Sequence, residues 1–164
     1  MHAEVYGYVA NLVGRLSPRL RVVEFGGRNF NGSVRPLFSS VESYVSTDLY
    51  AGPTVDWVGN ALDYMPTEPI DTVVCCEVLE HTPEWPELLQ HAYNMLPKDG
   101  VLIMTCAAPP REPHSGIDGE QVRDGEYYAN VEPAACEKTM HAIGWSEYEI
   151  QTADRGDLYC FARR

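Results

Sequence analysis

The sequence predicts an α/β fold: a doubly wound, mostly parallel sheet that ends in a C-terminal antiparallel hairpin. Two observations support this prediction. Short apolar runs of strand length alternate with helical patterns through most of the chain. The last two runs, Trp145 to Thr152 and Leu158 to Arg163, are separated only by A-D-R-G-D, which is typical of a hairpin. The 164 residues suit one domain, 1–164, without internal repeats.

The first half of the chain contains a helix and three strands. Apolar residues recur at helical spacing from Val5 to Leu16, and Ser17-Pro18 ends that pattern. Leu20 to Phe25 is a β-branched run that leads into a glycine pair, so a strand followed by a turn is predicted. Tyr44 to Asp48 and Val55 to Val58 are the next two predicted strands.

The second half contains, before the hairpin, two strands, two helices and a long loop. Asp71 to Cys76 and Val101 to Cys106 are continuous apolar runs, as expected for strands buried on both faces. Pro86 to Leu96 and Pro133 to Ile143 have the pattern of amphipathic helices. The segment from Pro109 to Asn130 is rich in proline, glycine and charge, and loops of this length are usually functional.

The predicted sheet indicates where a ligand binds. In open α/β sheets, ligands bind outside the carboxyl ends of the strands. The positions of interest therefore lie just after Phe25, Val45, Val58, Cys76 and Cys106.

Composition excludes several classes of protein. The net charge is −12, from 12 basic and 24 acidic side chains, which disfavours a nucleic-acid partner and accommodates a cationic ligand. No apolar run approaches the roughly 20 residues that span a bilayer. The start, Met1-His2-Ala3-Glu4, does not resemble a signal peptide, so we expect a cytoplasmic location and no membrane association.

The five cysteines do not form a recognisable framework. Their number is odd and no C-x-x-C pair occurs, which argues against disulfides and structural zinc. Most of them lie inside apolar runs and are predicted to be inert core residues. The five are Cys75, Cys76, Cys106, Cys136 and Cys160, and the core prediction covers all of them except Cys136.

The turn after the first strand has the features of a ligand-binding loop. The run V-V-E-F-G-G-R-N-F-N-G is a strand, a glycine turn and the start of a helix, and its glycines allow close approach of a ligand. A dinucleotide would require G-x-G-x-x-G, whereas Arg28 and either Phe30 or Asn31 occupy the later glycine positions and would crowd a diphosphate. Taken alone, the segment could equally be an ordinary loop.

Two further strand ends strengthen this interpretation. Asp48 follows Gly26 by 22 residues, where a carboxylate can accept hydrogen bonds from ribose hydroxyls; its alternative role is a turn cap. Asn60-Ala61-Leu62-Asp63 follows the third strand, where an amide or carboxylate could contact adenine and Leu62 could pack on the ring. The three features occur in the correct order at three consecutive strand ends.

These motifs together resemble those of class I S-adenosylmethionine-dependent methyltransferases, specifically a type 11-like E-V-L-E-H variant. Val22 to Gly27 resembles their hydrophobic-E-x-G motif, and Tyr44 to Leu49 their second, acidic motif. Val58 to Ala61 is similar to their G-D-A segment, and Asp71 to His81 to their fourth strand. Leu96 to Leu102 resembles their L-K-P-G-G-x-L turn. The resemblance extends over about the whole chain.

The resemblance implies a Rossmann-like fold and S-adenosylmethionine as the cofactor. Arg28 and Phe30 stand where the family has glycines, and Asn60 stands in place of the usual aspartate. The residues that the resemblance assigns to the cofactor pocket are Glu24, Gly26, Gly27, Asp48, Leu49, Asn60 and Ala61.

The segment after the fourth strand carries the candidate chemistry. Glu77, Glu80 and His81 share one face if this turn is helical, and His114 would approach from the later loop. Oxygen and imidazole ligands suit Mg²⁺, Mn²⁺ or Fe²⁺, so these four residues are the predicted metal ligands. The alternatives are a metal-free role for His81 as base or substrate contact and a purely structural role at a helix start. His81 and Glu77 are the candidate catalytic residues.

The E-x-x-E-H spacing with a later histidine also resembles the metal sites of two methyltransferase families. These are the plant small-RNA 2′-O-methyltransferases and the ubiquinone-pathway O-methyltransferases. The resemblance implies a cation that binds neighbouring substrate hydroxyls and lowers the pKa of the one that is methylated.

The expected reaction is O-methylation of a small hydroxylated acceptor, such as a sugar or a phenol. The loop with Arg111, His114 and Asp118 is expected to cover this acceptor, while Tyr127 and Tyr128 fit packing roles better. An RNA-terminal 2′-O-methyltransferase is the alternative enzyme, which the net charge disfavours. A non-catalytic subunit that activates a partner is the alternative outside catalysis.

Overall fold

The central feature of the computed structural model is a seven-stranded sheet with the order β3-β2-β1-β4-β5-β7-β6; residues 3–17 and 20–164 are described. Neighbouring strands from β3 to β5 are parallel, and β7 is antiparallel to both β5 and β6. This confirms the predicted fold class. The strands are β1 (Arg21–Phe25), β2 (Ser43–Asp48), β3 (Trp57–Val58), β4 (Thr72–Cys76), β5 (Val101–Ala107), β6 (Glu147–Thr152) and β7 (Asp157–Arg163). The helices are α1 (Ala3–Val13), α2 (Trp85–Met95) and α3 (Pro133–Ile143).

Alternate residues of the central strands pack into two separate cores. Val73 of β4 and Leu102 of β5 belong to the core that α2 and α3 cover. Val74 and Ile103, one position along each strand, belong to the core that α1 covers through Val5. Side chains alternate across a strand, so a continuous apolar run buries both faces. Each such side chain stabilises the fold by about 1.5–3 kcal/mol.

The predicted element boundaries hold best where packing and sequence pattern agree. Helix α3 has the predicted limits, Pro133–Ile143, and ends at Gly144 with a φ of +100°. The predicted third strand shortens to Trp57–Val58, because the Asp56 carboxylate bonds Ser46 N at 2.9 Å and Arg35 at 2.7 Å. Pro18, which was predicted to end the first helical pattern, lies outside the described residues.

The cysteines are all free and all buried. Burial raises the pKa of the thiols, as at Cys75, Cys106 and Cys136, the last to about 12. These thiols are protonated and inaccessible. Cys75, Cys76, Cys106 and Cys160 are buried core residues, as predicted.

The strand order changes direction at β1. β2 and β3 lie on one side of β1, and β4 and β5 lie on the other. A cleft forms at the carboxyl ends where the direction reverses, and ligands bind there in open α/β sheets.

Within the described ranges, none of the helices has the length and apolar character needed to cross a membrane.

Candidate functional site

A cavity of about 810 Å³ lies at the carboxyl ends of the parallel strands. Its walls come from the segments after β1 to β4 and from the loop between β5 and α3 (residues 108–132, the β5–α3 loop). Three of the predicted site residues, Glu24, Gly27 and Glu80, are buried and do not line it. The predicted residues that do line it are Gly26, Asp48, Leu49, Asn60, Ala61, Glu77, His81 and His114.

The glycine turn after β1 packs closely against its surroundings. The N–H groups of Gly26 and Gly27 both donate to Thr47 O, at 2.8 and 3.0 Å. Gly26 has a φ of +71°, and a Cβ there would overlap the side chain of Val78. A Cβ at Gly27 would overlap the Glu24 carboxylate. Only glycine fits at both positions, and at Gly26 bare backbone borders the cavity.

Glu24 lies beneath this turn and is 2% exposed. Burial raises the pKa of its carboxyl to about 7, while the hydroxyls of Tyr44 and Ser46 partly oppose that rise. Glu24 is therefore placed to support the turn from below. Its assignment to the cofactor pocket stays a prediction.

Asp48 ends β2 and is held by the backbone on both sides. Its Oδ2 accepts from Arg28 N at 3.1 Å, and its Oδ1 accepts from Tyr50 N at 2.9 Å. Each carboxylate oxygen can accept a second hydrogen bond, so these contacts leave capacity for ribose hydroxyls. Leu49, next in the chain, is 63% exposed and presents an apolar surface to the cavity.

Asn60 follows β3 and caps a short 3₁₀ helix. Its Oδ1 accepts from Leu62 N at 3.0 Å, at the start of the helix Ala61–Asp63. The cap uses the oxygen and not Nδ2, which can donate to a ligand. Leu62 is half-buried and also lines the cavity, next to Ala61.

The prediction that Glu77 shares a helical face with Glu80 and His81 is wrong. Glu77 has a φ of +58°, and the 3₁₀ helix that follows spans only Leu79–His81. Glu77 Oε1 accepts from Thr105 Oγ1 at 2.9 Å, which directs the carboxylate toward β5. The left-handed backbone turns Glu77 away from the helix axis, so it does not join the predicted metal ligands.

The other three predicted metal ligands do come together. Glu80, His81 and His114 each offer one ligand atom, and these atoms lie within 4.8 Å of one another. His81 Nε2 is 3.9 Å from Glu80 Oε1. The two imidazole rings meet edge to face, with centroids 5.1 Å apart. We call Glu80, His81 and His114 the histidine–glutamate group.

The electrostatics of this group favour uncharged side chains. Burial, followed by the charge of Glu77, raises the pKa of Glu80 well above its usual range. Burial lowers the pKa of His81 to about 4 and lowers that of His114, so both imidazoles are neutral at pH 7.

Several polar atoms of the group lack partners. The N–H groups of Glu80 and Ala107 lie near the Glu80 carboxylate. Within the described part of the chain, however, neither oxygen of Glu80 makes a hydrogen bond of normal geometry. His81 Nδ1 also makes none. Unpartnered buried polar atoms are costly, and a bound cation would satisfy them. The residues therefore fit a divalent cation.

Tyr128 packs against the site, in agreement with its predicted packing role, but its partners were not predicted. Its ring contacts His81 and His114, with centroids 5.5 and 5.0 Å away. Its hydroxyl donates to Asn130 Oδ1 at 2.9 Å, and Asn130 Nδ2 donates to Arg111 O at 2.8 Å. Tyr128 thus fixes both imidazoles from the β5–α3 loop. An aromatic pair in a loop gives no signal for these contacts.

Comparisons with known proteins agree with this geometry. A family model described as a methyltransferase domain matches residues 1–145. A search of curated proteins found no significant match.

Many solved structures share the fold. The DhpI complex with S-adenosylhomocysteine aligns with a TM-score of 0.68 at 18% identity, covering 96% of this chain and 83% of that one. The 1,6-didemethyltoxoflavin-N1-methyltransferase of Burkholderia thailandensis, with bound 1,6-didemethyltoxoflavin and S-adenosylhomocysteine, aligns with 0.70 at 14% identity, covering 99% and 77%. The magnesium protoporphyrin IX methyltransferase of Synechocystis PCC 6803, with bound S-adenosylmethionine, aligns with 0.67 at 18% identity, covering 98% and 78%.

The matched family covers most of the chain, and the cavity lies where this fold binds its ligand. The chain belongs to the methyltransferase domain family and is a class I S-adenosylmethionine-dependent methyltransferase.

Proposed function

We propose that this methyltransferase methylates a hydroxyl oxygen of a small acceptor, such as a sugar or a phenol. The observation that carries the proposal is the histidine–glutamate group, in which His81 and His114 line the cavity formed by the strand ends and Glu80 is buried next to them. S-adenosylmethionine supplies a methyl carbon that its sulfonium activates. The protein's remaining tasks are to position the acceptor oxygen and to accept its proton.

The donor side of the cavity supports the predicted cofactor contacts. Asp48 can accept hydrogen bonds from ribose hydroxyls in addition to its two backbone donors. Leu49 and Ala61 offer apolar surface to an adenine ring, and Asn60 offers an amide N–H. Bare backbone at Gly26 allows close approach of the methionyl part.

We further propose that the histidine–glutamate group binds Mg²⁺, Mn²⁺ or Fe²⁺. A bound cation would lower the pKa of an acceptor hydroxyl and so favour its deprotonation. Glu80 supplies oxygen and the two neutral imidazoles supply nitrogen, a set without thiolate that suits these ions. Without a cation, the neutral His81 imidazole is the acceptor of the hydroxyl proton.

Enclosure and charge favour a small acceptor over RNA. The β5–α3 loop contributes a large part of the cavity wall and so bounds the space for the acceptor on that side. The net charge of −12 repels a phosphate backbone at long range.

The test is transfer of a deuterated methyl group from S-adenosylmethionine to a panel of acceptors. The panel contains catechol, glucose, aniline and a short RNA, with products identified by mass spectrometry. We expect O-methylated catechol or sugar. An exclusively N-methylated product would overturn the oxygen assignment, and RNA methylation that falls steeply with salt would replace the small acceptor by RNA.

The cation is tested separately by thermal unfolding with Mn²⁺. Wild type should be stabilised by about 2.7 kcal/mol at 100 times the dissociation constant. His81→Ala and His114→Ala should lose this stabilisation, whereas the exposed control His141→Ala should retain it. An equal response of all four proteins would show that the cation site is not there.

A further inference from the structure

Arg28 connects the donor side of the cavity to the β5–α3 loop. It stands in the turn after β1 and lines the cavity, with a side chain only 16% exposed. Its Nη2 donates to Ile117 O at 2.7 Å, across 89 residues of sequence. The family that the sequence resembles has a glycine here, which cannot make this contact.

The guanidinium of Arg28 packs against two aromatic rings. Its central carbon lies 5.3 Å from the ring centroid of Phe30 and 5.1 Å from that of Tyr50. A Cβ at Gly52 would be 2.8 Å from both Cγ and Cδ of Arg28, so the aliphatic part rests directly on that glycine. These contacts fix one side-chain conformation, which directs Nη2 to Ile117 O.

The same residue is bound to Asp48. Arg28 N donates to Asp48 Oδ2 at 3.1 Å, and Arg28 Nε lies 4.0 Å from Asp48 Oδ1. A ligand bound to the Asp48 carboxylate therefore contacts the same group that accepts the hydrogen bond from Arg28 N. It would also cover the guanidinium and exclude water from its hydrogen bond to Ile117 O.

The segment at the other end of this bond behaves as a unit. Two backbone hydrogen bonds hold residues 115–120 together. Gly119 N donates to Ser115 O at 2.9 Å, and Ser115 N donates to Glu120 O at 2.8 Å. Asn31 Nδ2 adds a weaker contact to Asp118 O at 3.4 Å. Movement of Ile117 therefore moves the whole turn that covers the cavity.

We propose that Arg28 is a positioning residue that couples methyl-donor binding at Asp48 to closure of residues 115–120 over the acceptor. The proposal rests on the proposed function, because it places the donor on Asp48 and the acceptor beneath the β5–α3 loop. Coupling of this kind is reciprocal, so a bound acceptor also tightens donor binding.

The test is hydrogen exchange of peptides covering residues 112–121, with and without saturating S-adenosylhomocysteine. In wild type the ligand should slow exchange about tenfold, within the usual range of coupling between sites. Arg28→Lys and Arg28→Ala should still bind the ligand by calorimetry but show less than about a twofold change. Lysine keeps the charge and lacks the planar fork, so its failure to rescue would exclude a role of charge alone.

Two further variants complete the experiment. Gly52→Ala displaces the Arg28 stem without changing Arg28, so it should reproduce the loss even if Arg28→Ala does not fold. Arg155→Ala, an 83% exposed arginine on the β6–β7 turn, should respond like wild type.

The outcomes separate this inference from the proposed function. Equal protection in wild type, Arg28→Lys and Gly52→Ala, with the ligand bound, would overturn the role of Arg28 and leave the acceptor chemistry untouched. Loss of protection in those variants would support the role of Arg28 whichever acceptor is methylated. In the latter case the KM for the acceptor should rise about tenfold in Arg28→Lys, with kcat at saturation nearly unchanged.

Discussion

The two sides of the cavity are built in different ways. On the donor side, Asp48 and Asn60 already bond to nearby backbone, and the glycine turn bonds to Thr47. On the acceptor side, Glu80 is buried and His81 is half-buried, and both have polar atoms that lack partners among the described residues. The Asp48 and Asn60 side chains are therefore oriented by backbone groups before a ligand binds, whereas the Glu80 carboxyl and His81 Nδ1 lack such partners among the described residues.

The largest expected effect is on the donor side, from Gly26→Ala. The positive φ and the overlap with Val78 should together lower the free energy of unfolding by about 4 kcal/mol. S-adenosylhomocysteine binding should be lost with the turn. The measurements are urea unfolding and calorimetry. Gly7→Ala, where a Cβ meets nothing within 4 Å, should instead stabilise α1 by about 1 kcal/mol. Wild-type affinity in Gly26→Ala would show that the turn is not rigid.

Glu24 is an exception on the donor side, because its carboxyl is destabilised by burial. Its pKa is raised from 4.5 to about 7, so between those values the folded state holds a proton that the unfolded state has released. Stability should therefore fall as pH rises through this window. Relative to Glu24→Gln, the change in unfolding free energy from pH 4 to pH 8 should be about 3 kcal/mol. Parallel pH profiles of the two proteins would contradict the raised pKa.

The substitution Asp48→Asn should affect ligand binding on the donor side and leave cation binding on the acceptor side unchanged. Loss of the carboxylate should raise the dissociation constant of S-adenosylhomocysteine about thirtyfold, as expected for hydrogen bonds to a charged group. Thermal stabilisation by Mn²⁺ should stay as in wild type, because the histidine–glutamate group is unchanged. The control is Asp154→Asn on the exposed β6–β7 turn. An effect of Asp48→Asn on the Mn²⁺ response would contradict the separation of the two sides.

The smallest expected effect is on the acceptor side, from Glu80→Gln without metal. Glutamine has the same shape as glutamate but does not ionise, so the variant lacks a buried group that ionises at high pH. The free energy of unfolding at pH 8 should therefore rise by about 1 kcal/mol. The same variant should lose the Mn²⁺ response. Glu137→Gln on the exposed side of α3 should change neither value. Destabilisation by Glu80→Gln would indicate that the carboxylate is satisfied within the protein.

Local pattern predicted the fold and the strand ends that border the cavity. The apolar runs of β4 and β5 and the limits of α3 depend on periodicity and helix ends, which are properties of neighbouring residues. The residues at Gly26, Asp48 and Asn60 line the cavity because parallel strands align their carboxyl ends.

The acceptor side depends on contacts that sequence spacing does not specify. The spacing of Glu77 indicated a helical face, but one left-handed residue removed it from that face. Tyr128 and Arg28 contact residues far along the chain, His81 and Ile117, through a loop without regular structure. Such contacts follow from tertiary packing, so pattern reasoning did not find them.

The burial of all five cysteines has a practical consequence for following the β5–α3 loop in solution. Thiols that are protonated and inaccessible react slowly with maleimides, so the native chain needs no cysteine removal before labelling. A single cysteine introduced at exposed Asp124 would carry a fluorophore on the loop and report its movement directly.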